Sequence, residues 1–158
     1  MVRAGAAGVE IGSDSGCDEV LDRLRKGFRT DKIRRIAGIC RAHGLKDCHS
    51  FILGTRSETL EDVDRSLDFV EALDPFAALM LVWVEDREVV DADTERERRD
   101  FRDAIYARLA ERASHQPRWS VPRLGIRFDP RTFAVLRRFG MRGPLWQHLD
   151  RVPTDRLA

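Results

Sequence analysis

The sequence predicts an α/β fold in which parallel strands form a partial (β/α) barrel, followed by a helical carboxyl-terminal extension. Strand-like and helix-like segments alternate from residue 8 to residue 84, and two strands run into glycine turns, at residues 12–16 and at Gly54. The third strand is continuously apolar, as strands covered on both faces are. Strand, turn and helix are the repeating unit of α/β barrels, but 158 residues are too few for a closed barrel of about 250. We therefore assign residues 1–90 to the partial barrel and residues 91–158 to the extension.

Each element of the partial barrel has its own local signal. Thr30 is predicted to cap a helix that Gly44 ends, and Asp74-Pro75 ends the helix that follows the second strand. Apolar residues recur at steps of three or four in the helices. The predicted strands are residues 8–11, 47–53 and 77–84, and the predicted helices are residues 18–25, 31–43 and 60–73. This β-α-β order implies right-handed crossovers between parallel strands.

The extension differs in composition from the barrel part. Residues 93–113 are rich in Arg and Glu and predict a long surface helix with a narrow apolar stripe. The chain from residue 117 is irregular and aromatic, with short helices expected at residues 130–138 and 144–149. We expect Trp119 and Trp146 to belong to one hydrophobic cluster that anchors this tail over the barrel, and the alternative is a lid over a substrate.

Composition excludes several classes of partner. Lys+Arg 28 against Asp+Glu 27 leave a net charge of +1, which gives no field for nucleic acid or an anionic membrane. No apolar run approaches the roughly 20 residues of a membrane span. Three cysteines without a secretory signal predict reduced thiols and a cytoplasmic location.

Acidic and hydroxyl side chains at the first strand and its turn are the leading candidates for a binding site. Glu10 lies in an apolar strand, where it must bind a ligand, reach water or pair with an Arg. Asp14 and Ser15 can contact a ligand, cap the next helix, or do both.

Other reactive residues give weaker signals. Cys17 lies near a helix start, where a thiolate is stabilised, but no base is paired with it. Cys48 and His49 are adjacent in a strand and point to opposite faces, so we expect no metal site. Trp83, Glu85 and Asp86 follow the third strand and either border a substrate or form a core tryptophan and a solvated loop.

Two motifs carry a family resemblance across residues 8–75. Val9-Glu10-Ile11-Gly12-Ser13-Asp14-Ser15-Gly16 resembles the fourth-strand pattern of the radical S-adenosylmethionine core. His49-Ser50-Phe51-Ile52-Leu53-Gly54, with Glu58-Thr59, resembles its fifth strand, which ends in a phrase close to F-I-L-G-x-P-G-E-T. The chain thus resembles the carboxyl-terminal half of that core, most closely in the subclass that often carries a cobalamin-binding domain.

The resemblance implies a site and its cofactors. Glu10, Asp14 and Ser15 would face the ribose or methionine part of S-adenosylmethionine, Ile52 would pack against adenine, and Gly54 would let the backbone approach closely. In the complete enzyme a [4Fe–4S] cluster cleaves S-adenosylmethionine, and the resulting radical abstracts hydrogen from a substrate. Cobalamin and methyl transfer are further features of the subclass.

The chain also departs from the family pattern. A cluster needs three thiolates in a C-x-x-x-C-x-x-C loop, whereas Cys17, Cys40 and Cys48 lie in different predicted elements. Arg56 and Ser57 replace the Pro and Gly of the fifth-strand phrase. We therefore expect a fragment or subunit, inactive alone, that exposes a sheet edge to a complementing chain carrying the cluster loop.

Two other interpretations remain open. The chain is a non-enzymatic α/β binding or interaction module that completes another chain's barrel, or an unrelated α/β domain whose glycine turns mimic the pattern. Binding of S-adenosylmethionine without a cluster in any complex would favour the module. Neither the substrate nor the reaction follows from the sequence.

Overall fold

One parallel sheet organises the fold. The computed structural model describes residues 1–83, 90–125, 134 and 136–149. Four strands lie side by side in the order of the sequence, and every pair is parallel. The strands are β1 (Gly8–Asp14), β2 (Lys46–Leu53), β3 (Ala77–Val82) and β4 (Trp119–Ser120). The predicted α/β class and parallel strands are confirmed.

The α-helices whose bounds lie within the described residues connect or follow the strands, and the last two of them begin at side-chain caps. They are α1 (Asp18–Arg23), α2 (Thr30–Ala42), α3 (Leu60–Leu73) and α4 (Ala92–His115), with short 3-10 helices at Val2–Ala4, Pro122–Leu124 and Leu145–His148. Thr59 and Asp62 form a capping box at the start of α3. None of the helices in the described part is long and apolar enough to cross a membrane.

The helices pack on one face of the sheet, which we call the helix face. Alternation along β2 points Phe51 and Leu53, both 0% exposed, into this core. Helices α1 to α4 all contribute to it, and Arg108 of α4 binds Asp64 of α3 at 3.0 Å. Parallel sheets are usually covered on both faces, and helices α1 to α4 supply the cover of this one.

The opposite face, the open face, carries Cys48, Ser50 and Ile52 of β2. Leu136, Leu145 and Leu149 of the carboxyl-terminal segment pack near its amino-terminal end, against Cys48 and Ala77. Toward the carboxyl ends of the strands, Leu81 is 38% exposed and Trp83 is 55% exposed. The open face is therefore covered at one end and accessible at the other.

Several sequence expectations differ from the structure. The third strand ends at Val82 rather than residue 84, and Thr30 is the first residue of α2 rather than its cap. Strand β4 is not predicted from the sequence. Trp119 belongs to the core of the helix face whereas Trp146 packs on the open face, so the two do not share a cluster.

The remaining predictions for the extension have mixed outcomes. The expected short helix at residues 144–149 is a 3-10 helix, Leu145–His148. The expected helix at residues 130–138 lies largely outside the described residues, and Glu85 and Asp86 also lie outside them.

Candidate functional site

A cavity of about 340 Å³ lies at the carboxyl ends of β1, β2 and β3, on the accessible part of the open face. Its lining combines charge, a hydroxyl group and apolar surface: Asp14, Leu24, Lys26, Ile52, Thr55, Arg56 and Trp83. The carboxyl ends of parallel strands are where α/β folds bind their ligands. The volume falls at the lower end of the range of small-molecule sites, about 300 to 1,000 Å³.

Asp14 is held in this cavity by an unusual backbone. The register of β1 against β2 shifts between Gly12 and Asp14, and Asp14 adopts φ 60°. The residue is 8% exposed, and its carboxylate forms an ion pair with Lys26. A left-handed conformation costs a residue with a side chain roughly 1–2 kcal/mol. The surrounding structure must offset that cost to hold the Asp14 carboxylate in this position.

The accessible open face forms a flat apolar floor beside the cavity. Ile52 pairs with Leu81, and Gly12 pairs with Ser50, so the side chains of each pair point to the same face. A Cβ atom added at Gly12 would meet nothing within 4 Å. The space above Gly12 is therefore open to a flat group that contacts Ile52 and Leu81.

The turn from β2 to α3 closes the cavity on one side. Gly54 has φ 80° and Ser57 has φ 62°, both in the left-handed region. Glu58 braces the turn, because one carboxylate oxygen accepts hydrogen bonds from Thr55 N–H at 2.8 Å and Thr55 Oγ1 at 3.0 Å. Burial raises the pKa of Glu58, although the Thr55 hydrogen bonds act in the opposite direction.

Ser15 lies beside the cavity rather than in its lining. It is 0% exposed, its hydroxyl group is 3.0 Å from Ser66 Oγ, and it accepts a hydrogen bond from Cys17 N–H at 3.1 Å. At the next position, a Cβ atom on Gly16 would lie 2.5 Å from Phe69 Cβ. This turn docks β1 onto α3, which is a structural role for Ser15.

Glu10 lies at the covered end of the open face. Its side chain is exposed and accepts a hydrogen bond from Trp146 Nε1 at 2.7 Å. The Trp146 ring also packs so close to Gly8 that a Cβ there would be 2.5 Å from it. In this structure Glu10 is a partner of the carboxyl-terminal segment.

A buried polar network lies on the helix face and is not predicted from the sequence. His49 Nδ1 is 2.7 Å from Ser13 Oγ, and His49 Nε2 is 3.1 Å from Asp47 Oδ2. Ser13 and His49 are both 0% exposed, so a substrate has no access to this Ser-His-Asp arrangement. The network therefore ties β1 to β2. Its sequence signal was the alternate spacing of Asp47 and His49, which places both on one strand face.

The three cysteines are buried, free thiols in separate places. Burial raises the pKa of Cys17 and Cys40, and burial with the nearby Glu10 and Asp47 raises the pKa of Cys48 to about 12. Among the described residues no group of three or more His, Cys, Asp or Glu side chains could hold a metal ion. These residues do not fit a [4Fe–4S] cluster.

The structure brings Asp14 and Ile52 together in the cavity lining and places Gly54 in the adjoining turn, whereas Glu10 and Ser15 lie elsewhere. Sequence reasoning missed Lys26 and Arg56 as lining residues, although Arg56 was noted as a departure in the fifth-strand phrase. No protein-family model matches the sequence, and no curated protein is significantly similar to it. We therefore infer the ligand of this site from its geometry and from the resemblance.

Proposed function

We propose that this chain contributes part of the S-adenosylmethionine and substrate pocket of a radical S-adenosylmethionine enzyme. One observation carries the proposal: the cavity at the carboxyl ends of the strands is lined by both Asp14 and Ile52. The resemblance assigns these two residues to the same ligand although they are far apart in sequence.

The lining offers a partner for each part of this ligand. The adenine ring would lie on the apolar floor of Ile52 and Leu81, above the open position at Gly12. The Asp14 carboxylate is an acceptor for ribose hydroxyl groups. Arg56 is a donor for the carboxylate of the methionine part, to which a guanidinium can bind through two hydrogen bonds.

The turn after β2 supports the same interpretation. Ser57 occupies the position at which the family phrase carries glycine, and its φ of 62° lies in the region that favours glycine. The turn thus keeps a glycine-like backbone although its residue differs.

The cluster must come from elsewhere in this proposal. Cys17, Cys40 and Cys48 are buried and dispersed, so a complementing chain would supply the three-cysteine loop and, where used, the cobalamin domain. No reaction step is assigned to this chain. Reduced, protonated thiols suit a reducing compartment, and we propose a cytoplasmic location.

Calorimetric titration of the chain with S-adenosylmethionine tests the site. We expect saturable binding that Gly12→Leu weakens at least tenfold, because the leucine fills the space above the floor. Gly38→Leu is the matched control, since a Cβ at Gly38 also meets nothing within 4 Å but lies on α2. Absence of binding at millimolar ligand, or equal binding by both variants, would refute the site.

The second candidate is a non-enzymatic module that binds a nucleotide-like ligand and completes another chain's barrel. The observation that favours it is the set of three buried, separate thiols, which leaves no cluster site within the described residues. Co-expression with a chain that carries the three-cysteine loop separates the candidates. Formation of 5′-deoxyadenosine under reducing conditions supports the enzyme, whereas ligand binding without it supports the module.

A further inference from the structure

A second, larger cavity lies at the outer edge of the sheet, on the helix face. It measures about 520 Å³ and runs between the first residues of the chain, strand β1 and helix α2. Its apolar walls include Val2, Val9, Ile11, Ile36, Ile39 and Leu45. Val2 is 48% exposed and Ile39 is 51% exposed, so part of this apolar wall is accessible to solvent. We call this cavity the edge groove.

The groove lies where the sheet has no neighbour. Within the described residues β1 pairs with β2 alone, so its outer backbone edge is unpaired. Ile11 pairs with His49 and points to the same face, yet Ile11 is half-buried whereas His49 is 0% exposed. The helix layer therefore covers β1 less completely than it covers β2.

Basic side chains predominate around the groove, although Asp31 lies one turn before Arg35 on α2. Helical spacing places Lys32 and Arg35 on the same face of α2 as Ile39, and Arg3 lines the opposite wall. No ion pair joins these three basic side chains to a carboxylate in the part of the chain that the structure describes. An apolar groove with a basic rim is complementary to an apolar stripe flanked by acidic residues.

We propose that the edge groove binds an acidic amphipathic helix of a partner protein. The apolar stripe of the helix packs on Ile36 and Ile39, and its flanking carboxylates face Arg3, Lys32 and Arg35. This is the helix-in-groove mode of recognition, in which anchors at steps of three and four fill the groove. The proposal concerns the edge of the sheet and does not depend on the ligand of the carboxyl-end cavity.

Two synthetic helices provide the test. They share leucines at steps of three and four, and one carries Glu at the flanking positions where the other carries Lys. Fluorescence anisotropy should show that the Glu helix binds at least tenfold more tightly than the Lys helix, with an affinity that falls as salt is added. Arg35→Glu should reduce the ratio of the two affinities to less than half of its value in the unmodified chain.

Substitutions on the protein locate the binding surface. Ile39→Glu should weaken binding of the Glu helix at least tenfold, and circular dichroism checks that the exposed substitution leaves the fold intact. Phe139→Glu is the matched control, because Phe139 is 78% exposed and lies outside the groove. Its affinity should equal that of the unmodified chain.

Three results would overturn the proposal. Equal affinity for the two helices would show that the basic rim does not select acidic residues. The absence of measurable binding of either helix would show that the groove does not bind a helix. Self-association in sedimentation velocity that Ile39→Glu abolishes would assign the groove to a second copy of this chain instead.

Discussion

The buried network of Ser13, His49 and Asp47 gives the sharpest prediction about stability. Asp47 is 6% exposed, and its two oxygens have different partners: Oδ1 accepts from Phe76 N–H at 2.9 Å, and Oδ2 is 3.1 Å from His49 Nε2. With Ser13 donating to His49 Nδ1, His49 Nε2–H donates to Asp47. The substitution Asp47→Asn keeps the side-chain volume but leaves one acceptor oxygen for two donors.

The expected loss follows from these contacts. Asparagine Oδ1 can still accept from Phe76 N–H, and its NH₂ group can donate to His49 Nε2 when the imidazole takes the other tautomer, in which Nδ1–H donates to Ser13 Oγ. Both hydrogen bonds of residue 47 then lose their charged acceptor, and a hydrogen bond to a charged group contributes about 1.5–3 kcal/mol against about 0.5–1.5 kcal/mol for a neutral one. We therefore expect the free energy of unfolding at pH 7 to fall by about 2–3 kcal/mol, measured by urea denaturation.

The same substitution changes the pH dependence. Burial alone would raise the pKa of Asp47, but hydrogen bonds from His49 and Phe76 outweigh it and the pKa is lowered. A carboxyl whose pKa is lower when folded stabilises the fold above its unfolded pKa, about 3.9, and loses that contribution as the pH falls. The Asn variant should therefore lose less stability than the unmodified chain between about pH 5 and pH 3.

Asp100→Asn is the control for this experiment, because Asp100 is exposed on α4. We expect it to change the free energy of unfolding by less than about 0.5 kcal/mol. A change of that small size in Asp47→Asn, or an unaltered pH slope, would show that the network does not hold β1 against β2.

Three further substitutions or reactions test other parts of the structure. Ser57→Gly should raise the free energy of unfolding by about 0.5–1 kcal/mol, because the left-handed backbone at φ 62° costs serine more energy than glycine costs in conformational entropy. A lower free energy of unfolding, measured by urea denaturation, would contradict this turn geometry. Gly16→Ala should lower stability by about 1–3 kcal/mol, since its Cβ would lie 2.5 Å from Phe69 Cβ; an unchanged melting temperature would refute this close packing. Cys48, whose pKa is raised to about 12, should react with a thiol reagent at pH 8 only as fast as the chain opens; a rate independent of urea would show that the thiol is accessible.

Local signals explain why some elements were predictable. Helix α3 has the predicted bounds because a capping box starts it and Asp74, in a left-handed conformation, ends it. Strand β4 has only two residues, and its pairing with β3 defines it. Such a strand has no periodicity of its own, so the sequence did not predict it.

The residues of the candidate site also differ in how far the sequence could predict them. Asp14 and Ile52 were identified through motifs that include their neighbours, and both line one cavity. The partner of Glu10 is Trp146, 136 residues away, and no local pattern indicates that contact. Trp83 was noted beside the strand end, but its place in the cavity depends on how β3 aligns with β2.

The two strained residues at the cavity have different relations to it. Asp14 and Ser57 both carry side chains in the left-handed region, where each costs roughly 1–2 kcal/mol relative to an ordinary conformation. The Asp14 carboxylate lines the cavity and pairs with Lys26, so its strain fixes a charged group where a ligand can reach the lining. No hydrogen bond of the Ser57 side chain is found among the described residues. The strain at Ser57 therefore does not place a polar group at the cavity. Glycine relieves the strain at either position, but at Asp14 it also removes the carboxylate that lines the cavity. Ligand binding should therefore survive Ser57→Gly and be lost in Asp14→Gly, which would separate a residue kept for function from one that the turn tolerates.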